Sequence, residues 1–112
     1  MDYINIIARL ILYIENNDFK VIFPSTTLSD DISGQINYMR KDIHVNEDSP
    51  EEVMYTLIHE AGHMLSYIRL FEQQKQRQPS KERRELFALH YGWKVIKDLE
   101  LPITKEMWRQ NC

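Results

Sequence analysis

The stretch from Ser49 to about Gln74 is the strongest helix signal in the sequence, and it constrains the fold more than any other segment. Ser49 can cap the helix, Pro50 suits its first position, and Glu52 is placed to complete a capping box. Apolar residues then recur at spacings of three and four, which predicts that one face packs into a core. These residues are Met54, Leu57, Ile58, Ala61, Leu65 and Ile68.

Two histidines four residues apart, His59 and His63, flank this apolar face. On a helix they lie on the same side, with about 5–6 Å between their Cβ atoms, so both imidazoles can converge on one metal ion. A catalytic zinc ion takes three protein ligands and keeps a fourth position for a water, whose pKa it lowers to about 7. Glu60 is close enough to accept a proton from that water as a general base. The alternative is a packed helix with two surface histidines beside a solvated glutamate.

The missing third ligand is predicted to come from the next helix, which Ser80 caps and which runs to about residue 98. Glu82 and Glu85 are the candidates, and their three-residue spacing allows them to share a face. In so charged a stretch, either glutamate can instead be a solvated partner of the neighbouring lysine and arginines. Apolar residues around Glu85 predict that this carboxylate is buried, and a buried carboxylate needs a cation.

Two further segments also read as helices. Residues 2–16 carry isoleucines at helical period, and a final short helix is predicted from Thr104 to about Gln110. The first segment lacks the basic head and cleavage site of an export signal, and no apolar run is long enough for a membrane span, so we expect a cytoplasmic protein. No internal repeat or long linker divides the chain, so residues 1–112 are expected to form a single domain.

Short strands are predicted between the first helix and the histidine helix. Residues 19–23 have the β-branched and aromatic content of a strand, and residues 25–34 read as a loop. Residues 35–39 and 42–46 alternate in polarity around Arg40-Lys41, which indicates a hairpin whose turn lacks the favoured Asn-Gly pair. The expected fold class is therefore α+β, mainly helical, with a small sheet of about three strands packed beside the histidine helix.

Composition limits the classes of partner. The chain has 14 Lys and Arg against 17 Asp and Glu, a net charge of −3, and no dense basic block, which argues against a nucleic-acid partner. Its single cysteine, Cys112, lies at the terminus and cannot form an internal disulfide, which fits a reducing compartment and excludes a cysteine-rich zinc site. We therefore expect a protein or peptide partner, and neither a nucleic acid nor a membrane; the oligomeric state stays open.

These residues resemble the gluzincin metallopeptidases, in particular the small ImmA/IrrE-like group of bacteria, phages and mobile elements. The resemblance rests on His59-Glu60-Ala61-Gly62-His63, followed about twenty residues later by Glu85-x-x-Ala88 and the pair Tyr91-Gly92. The order of elements is also similar over residues 19–98: short strands, a hairpin, the motif helix and then the glutamate helix.

The resemblance implies a zincin-like fold in which His59, His63 and Glu85 bind zinc and Glu60 is the general base. It also implies hydrolysis of a peptide bond in a specific cytoplasmic protein, such as a transcriptional repressor. The alternative from another class is a metal-binding regulatory or interaction protein that keeps the zincin fold with little or no hydrolytic activity.

The chain departs from the family pattern at one position, and the sequence does not decide which glutamate is the third metal ligand. Leu89 stands where family members often carry an Asp or Asn that orients a metal ligand. Glu82 also lies at a ligand spacing seen in some gluzincins. The choice between Glu82 and Glu85 therefore remains open at the level of the sequence, with Glu85 favoured because it fits the Glu-x-x-Ala pattern.

A peptidase site also needs an electrophile for the tetrahedral intermediate and a groove for the substrate. The available electrophiles are His44, His90 and Tyr91, each of which is more often structural. The hairpin is expected to supply an edge strand to which an extended peptide adds. The residues nearest such a groove are Asn37, Tyr38, His44 and Asn46. Four aromatic residues are assigned to a core or interface without chemistry: Tyr67, Phe71, Trp93 and Trp108.

Overall fold

Four α-helices and a three-stranded sheet make up the described part of the chain, which confirms the predicted α+β class. The structure is a computed structural model that describes residues 1–72 and 80–111, apart from the side chains of residues 71 and 72. The helices are α1 (Tyr3–Asn16), α2 (Pro50–Tyr67), α3 (Lys81–Asp98) and α4 (Lys105–Gln110). The strands are β1 (Lys20–Ile22), β2 (Gly34–Asn37) and β3 (Asp42–Val45).

The four helices begin at polar caps. In each of them the side chain of the preceding residue accepts a hydrogen bond from the backbone N–H three residues later. These caps are Asp2, Ser49, Ser80 and Thr104. The capping box predicted for α2 forms only one of its two hydrogen bonds. The backbone N–H of Ser49 donates to the Asp48 side chain at 2.9 Å instead of to the side chain of Glu52.

Helix α2 changes its hydrogen-bonding pattern before its predicted end. It is α-helical to Tyr67 and continues as a π-helical turn over Ile68–Glu72. The predicted end near Gln74 lies outside the described residues, as does Pro79.

The sheet has the strand order β1-β3-β2, with β1 parallel and β2 antiparallel to the central strand β3. Only one side of β2 is therefore paired within the described part of the chain. The predicted hairpin is confirmed, but its first strand ends at Asn37 rather than Met39. Its turn takes four residues, Tyr38–Lys41, because the Asn37 side chain accepts the N–H of Arg40 at 2.9 Å and Lys41 adopts a φ of 55°.

Helix α2 is the centre of the fold, because it packs against α1, α3 and the inner side of the sheet. Its predicted apolar face is buried at Met54, Leu57, Ile58, Ala61 and Leu65, whereas Ile68 is only half-buried. The other elements supply the opposing surface of the core, chiefly Ile6, Leu10, Ile14, Ile43, Val45, Val95 and Ile96. Because this face of α2 is held in the core, the orientation of the neighbouring face, which carries the histidines, is fixed as well.

The four aromatic residues assigned to a core or interface have different outcomes. Trp108 is buried at 1% exposure, and Tyr67 and Trp93 are half-buried against the core. The side chain of Phe71 lies outside the described residues. No helix in the described part of the chain is both long and apolar enough to cross a membrane.

Candidate metal centre

Helix α2 presents His59 and His63 on successive turns of one face, as their spacing predicts. The two rings meet edge to face, with centroids 4.8 Å apart. The side chain of His63 is only 9% exposed, while that of His59 is 28% exposed. The two imidazoles therefore lie at the border between the core and solvent.

Helix α3 brings the Glu85 carboxylate against both imidazoles. Its Oε2 lies 3.1 Å from Nε2 of His59, and its Oε1 lies 3.2 Å from Nε2 of His63. One donor atom from each of these three residues lies within 4.8 Å of the other two, and no other such group of three occurs among the described residues. Two imidazole nitrogens and a carboxylate oxygen are thus available to one cation.

Glu85 reaches this position without being buried, so the sequence argument from burial was wrong. Its side chain is 49% exposed, and that of Leu86 beside it is exposed as well. The reason is that the buried face of α3 begins one turn later, at Ala88. Glu82, one turn earlier, lines a neighbouring cleft with His59 but does not belong to the group of three.

Close packing between α2 and α3 sets the distance from Glu85 to the imidazoles. Gly62 of α2 lies against Ala88 of α3, where a Cβ at residue 62 would come 2.5 Å from the Ala88 carbonyl oxygen and 2.8 Å from the Gly92 nitrogen. Only glycine allows the two backbones to approach this closely. Sequence reasoning missed the role of Gly62 and Gly92, although small residues facing each other on two predicted helices are a usable signal.

Trp108 of α4 also packs against α3. A Cβ at Gly92 would collide with the Trp108 ring, and the indole Nε1 donates to the backbone carbonyl oxygen of Leu89 at 2.9 Å. The side chain of Leu89, at the position where the family pattern has a polar residue, lines a cleft beside His59 and Leu86. The tryptophan, which the sequence assigns to a core or interface, thus supports the site by packing.

Glu60, which follows His59 in the sequence, is buried, with only 6% of the residue exposed. Its Oε2 is buried and has no hydrogen-bond partner among the described residues. Burial, and then the negative charge of Glu85, raise the pKa of Glu60 to about 8. The Oε2 atom of Glu60 therefore lacks a hydrogen-bond donor, and the carboxylate binds a proton more tightly than that of an exposed glutamate.

His63 is held in its neutral form. Burial lowers its pKa to about 4, and the charge of His59 acts in the same direction, against the opposing effect of Glu85. The contact between His63 and Glu85 is consequently not an ion pair at neutral pH. A neutral imidazole is also the form that binds a metal.

Two of the clefts that border this site meet beside Gly34 at the start of β2. The first, of about 650 Å³, includes Glu51 and Glu52 among its lining residues, and we call it the acidic cleft. The second, of about 270 Å³, includes Lys81 and Arg84, and we call it the basic cleft. Both clefts share four residues, Gly34, Glu60, His63 and Glu85. A ligand that occupies both clefts must therefore pass directly over the candidate centre.

Tyr38 forms part of the wall of the basic cleft. Its ring stacks on that of Tyr67, with centroids 4.5 Å apart and an angle of 16° between the planes. Burial, and then the negative charge of Glu60, raise the pKa of Tyr38 to about 12, so the phenol keeps its proton. Sequence reasoning placed Tyr38 near the groove but did not single out its phenol, which stays protonated beside Glu60 and His63 in the lining of this cleft.

The three electrophiles expected from the sequence are not brought to the centre. Of the described residues that line the two clefts, none is His44, His90 or Tyr91. His44 lies on the sheet with its Nδ1 3.1 Å from Ser25 Oγ and its Nε2 3.6 Å from Asp42 Oδ1. His90 and Tyr91 pack against each other, with ring centroids 5.2 Å apart.

The two asparagines expected near the groove have structural contacts instead. Asn37 accepts the N–H of Arg40 in the hairpin turn, and the Asn46 side chain donates to the carbonyl oxygen of Ser29 at 2.9 Å. Tyr38 is therefore the residue of the predicted groove that lines a cleft beside the centre.

Comparison of the chain with models of known protein families, with curated proteins and with solved structures finds no match. Its function must therefore be argued from the site itself.

Proposed function

We propose that this chain is a zinc-dependent metallopeptidase of the gluzincin type, with a zincin-like fold similar to that of the ImmA/IrrE-like group. Its substrate would be a specific cytoplasmic protein, such as a transcriptional repressor. One observation carries the proposal: the Glu85 oxygens lie 3.1 and 3.2 Å from the Nε2 atoms of His59 and His63. A carboxylate from a second helix beside a His-Glu-x-x-His pair is a donor set used by catalytic zinc sites.

The donor set fits zinc in kind and in number. His59 and His63 would hold the ion through imidazole nitrogens and Glu85 through a carboxylate oxygen, and three protein ligands are what a catalytic site provides. When bound, a zinc ion would supply the Lewis acidity that polarises a peptide carbonyl and makes a water molecule more acidic.

Glu60 would act as the general base. Its buried Oε2 lacks a partner among the described residues, and the side chain lines both clefts where they meet. This oxygen would accept a proton from the attacking water and later deliver it to the nitrogen of the leaving amine.

Tyr38 would bind the negative charge that develops on the carbonyl oxygen. Its protonated phenol lines the basic cleft together with Glu60 and His63. A donor already fixed in place, here by stacking on Tyr67, stabilises such a charge without reorganisation. Tyr38 replaces His44, His90 and Tyr91 as the residue proposed for this role.

The edge of β2 would bind the substrate. One side of this strand is paired with β3, and its residues Gly34, Gln35 and Ile36 line the clefts beside the centre. An extended peptide can add to such an edge through main-chain hydrogen bonds. The scissile bond would then lie near Gly34, which is next to Glu60 in both clefts.

Zinc content and peptide hydrolysis, measured on the same preparations, test this proposal. Wild-type protein is expected to purify with zinc and to cleave members of a quenched fluorogenic peptide library. Glu60→Gln is expected to keep the zinc and to lose about 10²–10⁴-fold in rate, the usual contribution of a general base. Glu85→Gln is expected to lose both.

Glu82→Gln is the matched control, because Glu82 lies one turn before Glu85 on the same helix and outside the group of three. It should retain zinc and activity. Wild-type protein that binds no zinc would contradict the proposal. Zinc binding without hydrolysis, and with unchanged biological function in Glu60→Gln, would instead support a metal-binding regulatory protein.

A further inference from the structure

We propose that the cleaved segment of the substrate changes the sign of its charge at the scissile bond, with acidic residues before the bond and basic residues after it. This inference rests on the proposed peptidase function and specifies the class of substrate. It follows from the charges of the two clefts and from their order along β2.

The two clefts differ in charge beyond the four residues that they share. Among the described residues, the additional charged side chains of the acidic cleft are Glu51 and Glu52. Those of the basic cleft are Lys81 and Arg84. Each cleft therefore favours side chains of the opposite charge and disfavours those of the same charge.

The acidic cleft carries concentrated negative charge at its rim. Asp48 lies beside Glu52, and its hydrogen bond and negative charge raise the pKa of Glu52. In the described part of the chain, neither Glu51 nor Glu52 is paired with a cation. A lysine or arginine side chain of a bound peptide would relieve this repulsion.

The basic cleft carries its charge close to the candidate centre. Arg84 lines this cleft together with His63 and Glu85, and it directly precedes Glu85 on α3. A glutamate or aspartate of a bound peptide would be attracted to this position.

The two clefts follow one another along β2. Ser33, just before the strand, lines the acidic cleft, whereas Gln35, Ile36 and Tyr38 line the basic cleft. Gly34 lines both, and a Cβ at this residue would lie 3.3 Å from Cγ of Glu60. An extended peptide on this edge would therefore change from one charge environment to the other beside the general base.

The direction of the bound peptide is inferred from the relative stability of antiparallel and parallel strand pairing. Antiparallel pairing is slightly more stable per residue than parallel pairing. A peptide antiparallel to β2 has its amino-terminal half beside Tyr38 and its carboxy-terminal half beside Ser33. The amino-terminal half would thus lie in the basic cleft and the carboxy-terminal half in the acidic cleft, which gives the proposed order of charges.

Two labelled peptides of identical composition test the inference. One has two glutamates before a central apolar pair and two lysines after it, and the other has these charges exchanged. Their binding to zinc-loaded Glu60→Gln protein is measured by fluorescence anisotropy at about 0.15 M salt, where charges more than about 8 Å apart are largely screened. Because contacts with exposed charges are individually weak, the acid-first peptide is expected to bind about tenfold more tightly.

Charge reversals in the same Glu60→Gln background locate the origin of this preference. Arg84→Glu and Glu52→Lys are each expected to reduce it to about threefold or less. The matched controls are Arg83→Glu and Glu47→Lys, because both residues are exposed and lie outside the two clefts. These controls should retain the full preference, and thermal unfolding checks that all four variants are folded.

Equal affinities, preference for the basic-first peptide, or no binding of either peptide would overturn the inference. So would controls that alter the preference as much as the cleft variants do. All of these results concern peptide binding. Failure of the proposed peptidase function would look different: the protein would keep the charge preference in binding, but the wild type would cleave neither peptide.

Discussion

Gly62 of α2 lies directly against the backbone of Ala88 of α3, so that a Cβ at residue 62 would come 2.5 Å from the Ala88 carbonyl oxygen. Backbone is on both sides of this contact, so no side-chain rotation can relieve a clash. His63 follows Gly62 on α2, and Glu85 lies one turn before Ala88 on α3. The glycine thus determines how closely the carboxylate approaches the imidazole.

Gly62→Ala is expected to separate α2 from α3 and to weaken zinc binding by about 10–100-fold, as changes just outside a metal's ligands do. Overpacking should also lower the free energy of unfolding by about 1–3 kcal/mol. Competition with a chromophoric chelator and denaturant titration measure the two effects. Zinc affinity equal to that of the wild type would contradict the role given to Gly62.

Leu10→Ala is the control for a loss of stability alone. Leu10 is fully buried on α1 and lines neither of the two clefts, and its truncation should cost about 2–5 kcal/mol of unfolding free energy. The zinc affinity of the folded variant should remain that of the wild type. This comparison separates the geometry of the α2–α3 contact from general destabilisation.

Removal of zinc is expected to lower the melting temperature. A ligand present at 100 times its Kd stabilises the folded state by about 2.7 kcal/mol. In a domain of this size, each kcal/mol of stability raises the melting temperature by about 4–8 °C. Calorimetry with and without a chelator should therefore show a decrease of about 10–20 °C. Glu85→Gln should abolish this difference and Glu82→Gln should preserve it; identical melting temperatures for the wild type in both conditions would argue against a zinc site.

The stability of the zinc-free protein should depend on pH through Glu60. Its pKa is raised from 4.5 to about 8 by burial and by Glu85, so the folded state favours the protonated carboxyl group. The corresponding stability is fully present below pH 4.5, decreases as the unfolded chain ionises, and is lost as pH rises through about 8.

Glu60→Gln removes this dependence because glutamine does not ionise. With a chelator present, the variant should have a higher melting temperature than the wild type at pH 8–9, and the gain should vanish towards pH 4.5. Melting curves across this range measure the difference. A gain that is the same at every pH would show that ionisation of Glu60 is not its cause.

Tyr38→Phe is expected to lower kcat by about 10²-fold, because it removes a donor to the developing oxyanion and keeps the ring that stacks on Tyr67. KM should change little. Tyr91→Phe is the matched control, since Tyr91 does not line either described cleft, and it should retain the wild-type kcat. Unchanged kcat in Tyr38→Phe would show that Tyr38 does not stabilise the oxyanion.

Local signals predicted the secondary structure well. Ser49 and Ser80 were recognisable as caps because a serine hydroxyl just before a helix accepts a hydrogen bond from an otherwise unpaired backbone N–H of the first turn. The hairpin was predicted from its alternating polarity, but the start of its turn was placed two residues late. The reason is that the turn depends on the Asn37 side chain and on the positive φ of Lys41, which the polarity pattern does not contain.

The arrangement of the candidate site depends on contacts between distant segments, and these were predicted only in part. The spacing of His59 and His63 on one helix was sufficient to place both on one face. The burial of Glu85 was predicted wrongly, because apolar neighbours in sequence point to different sides of α3. Gly92 reads locally as a weak helix residue, and only its contact with Trp108 reveals its function.

The most direct test of the central claim is anomalous scattering at the zinc absorption edge from crystals of protein purified without added metal. We expect a single strong peak within bonding distance of Nε2 of His59, Nε2 of His63 and the Glu85 carboxylate, at about 2.0–2.2 Å from each. A map with no peak between these atoms, or with its peak at other side chains, would contradict the claim that these three residues form a zinc centre.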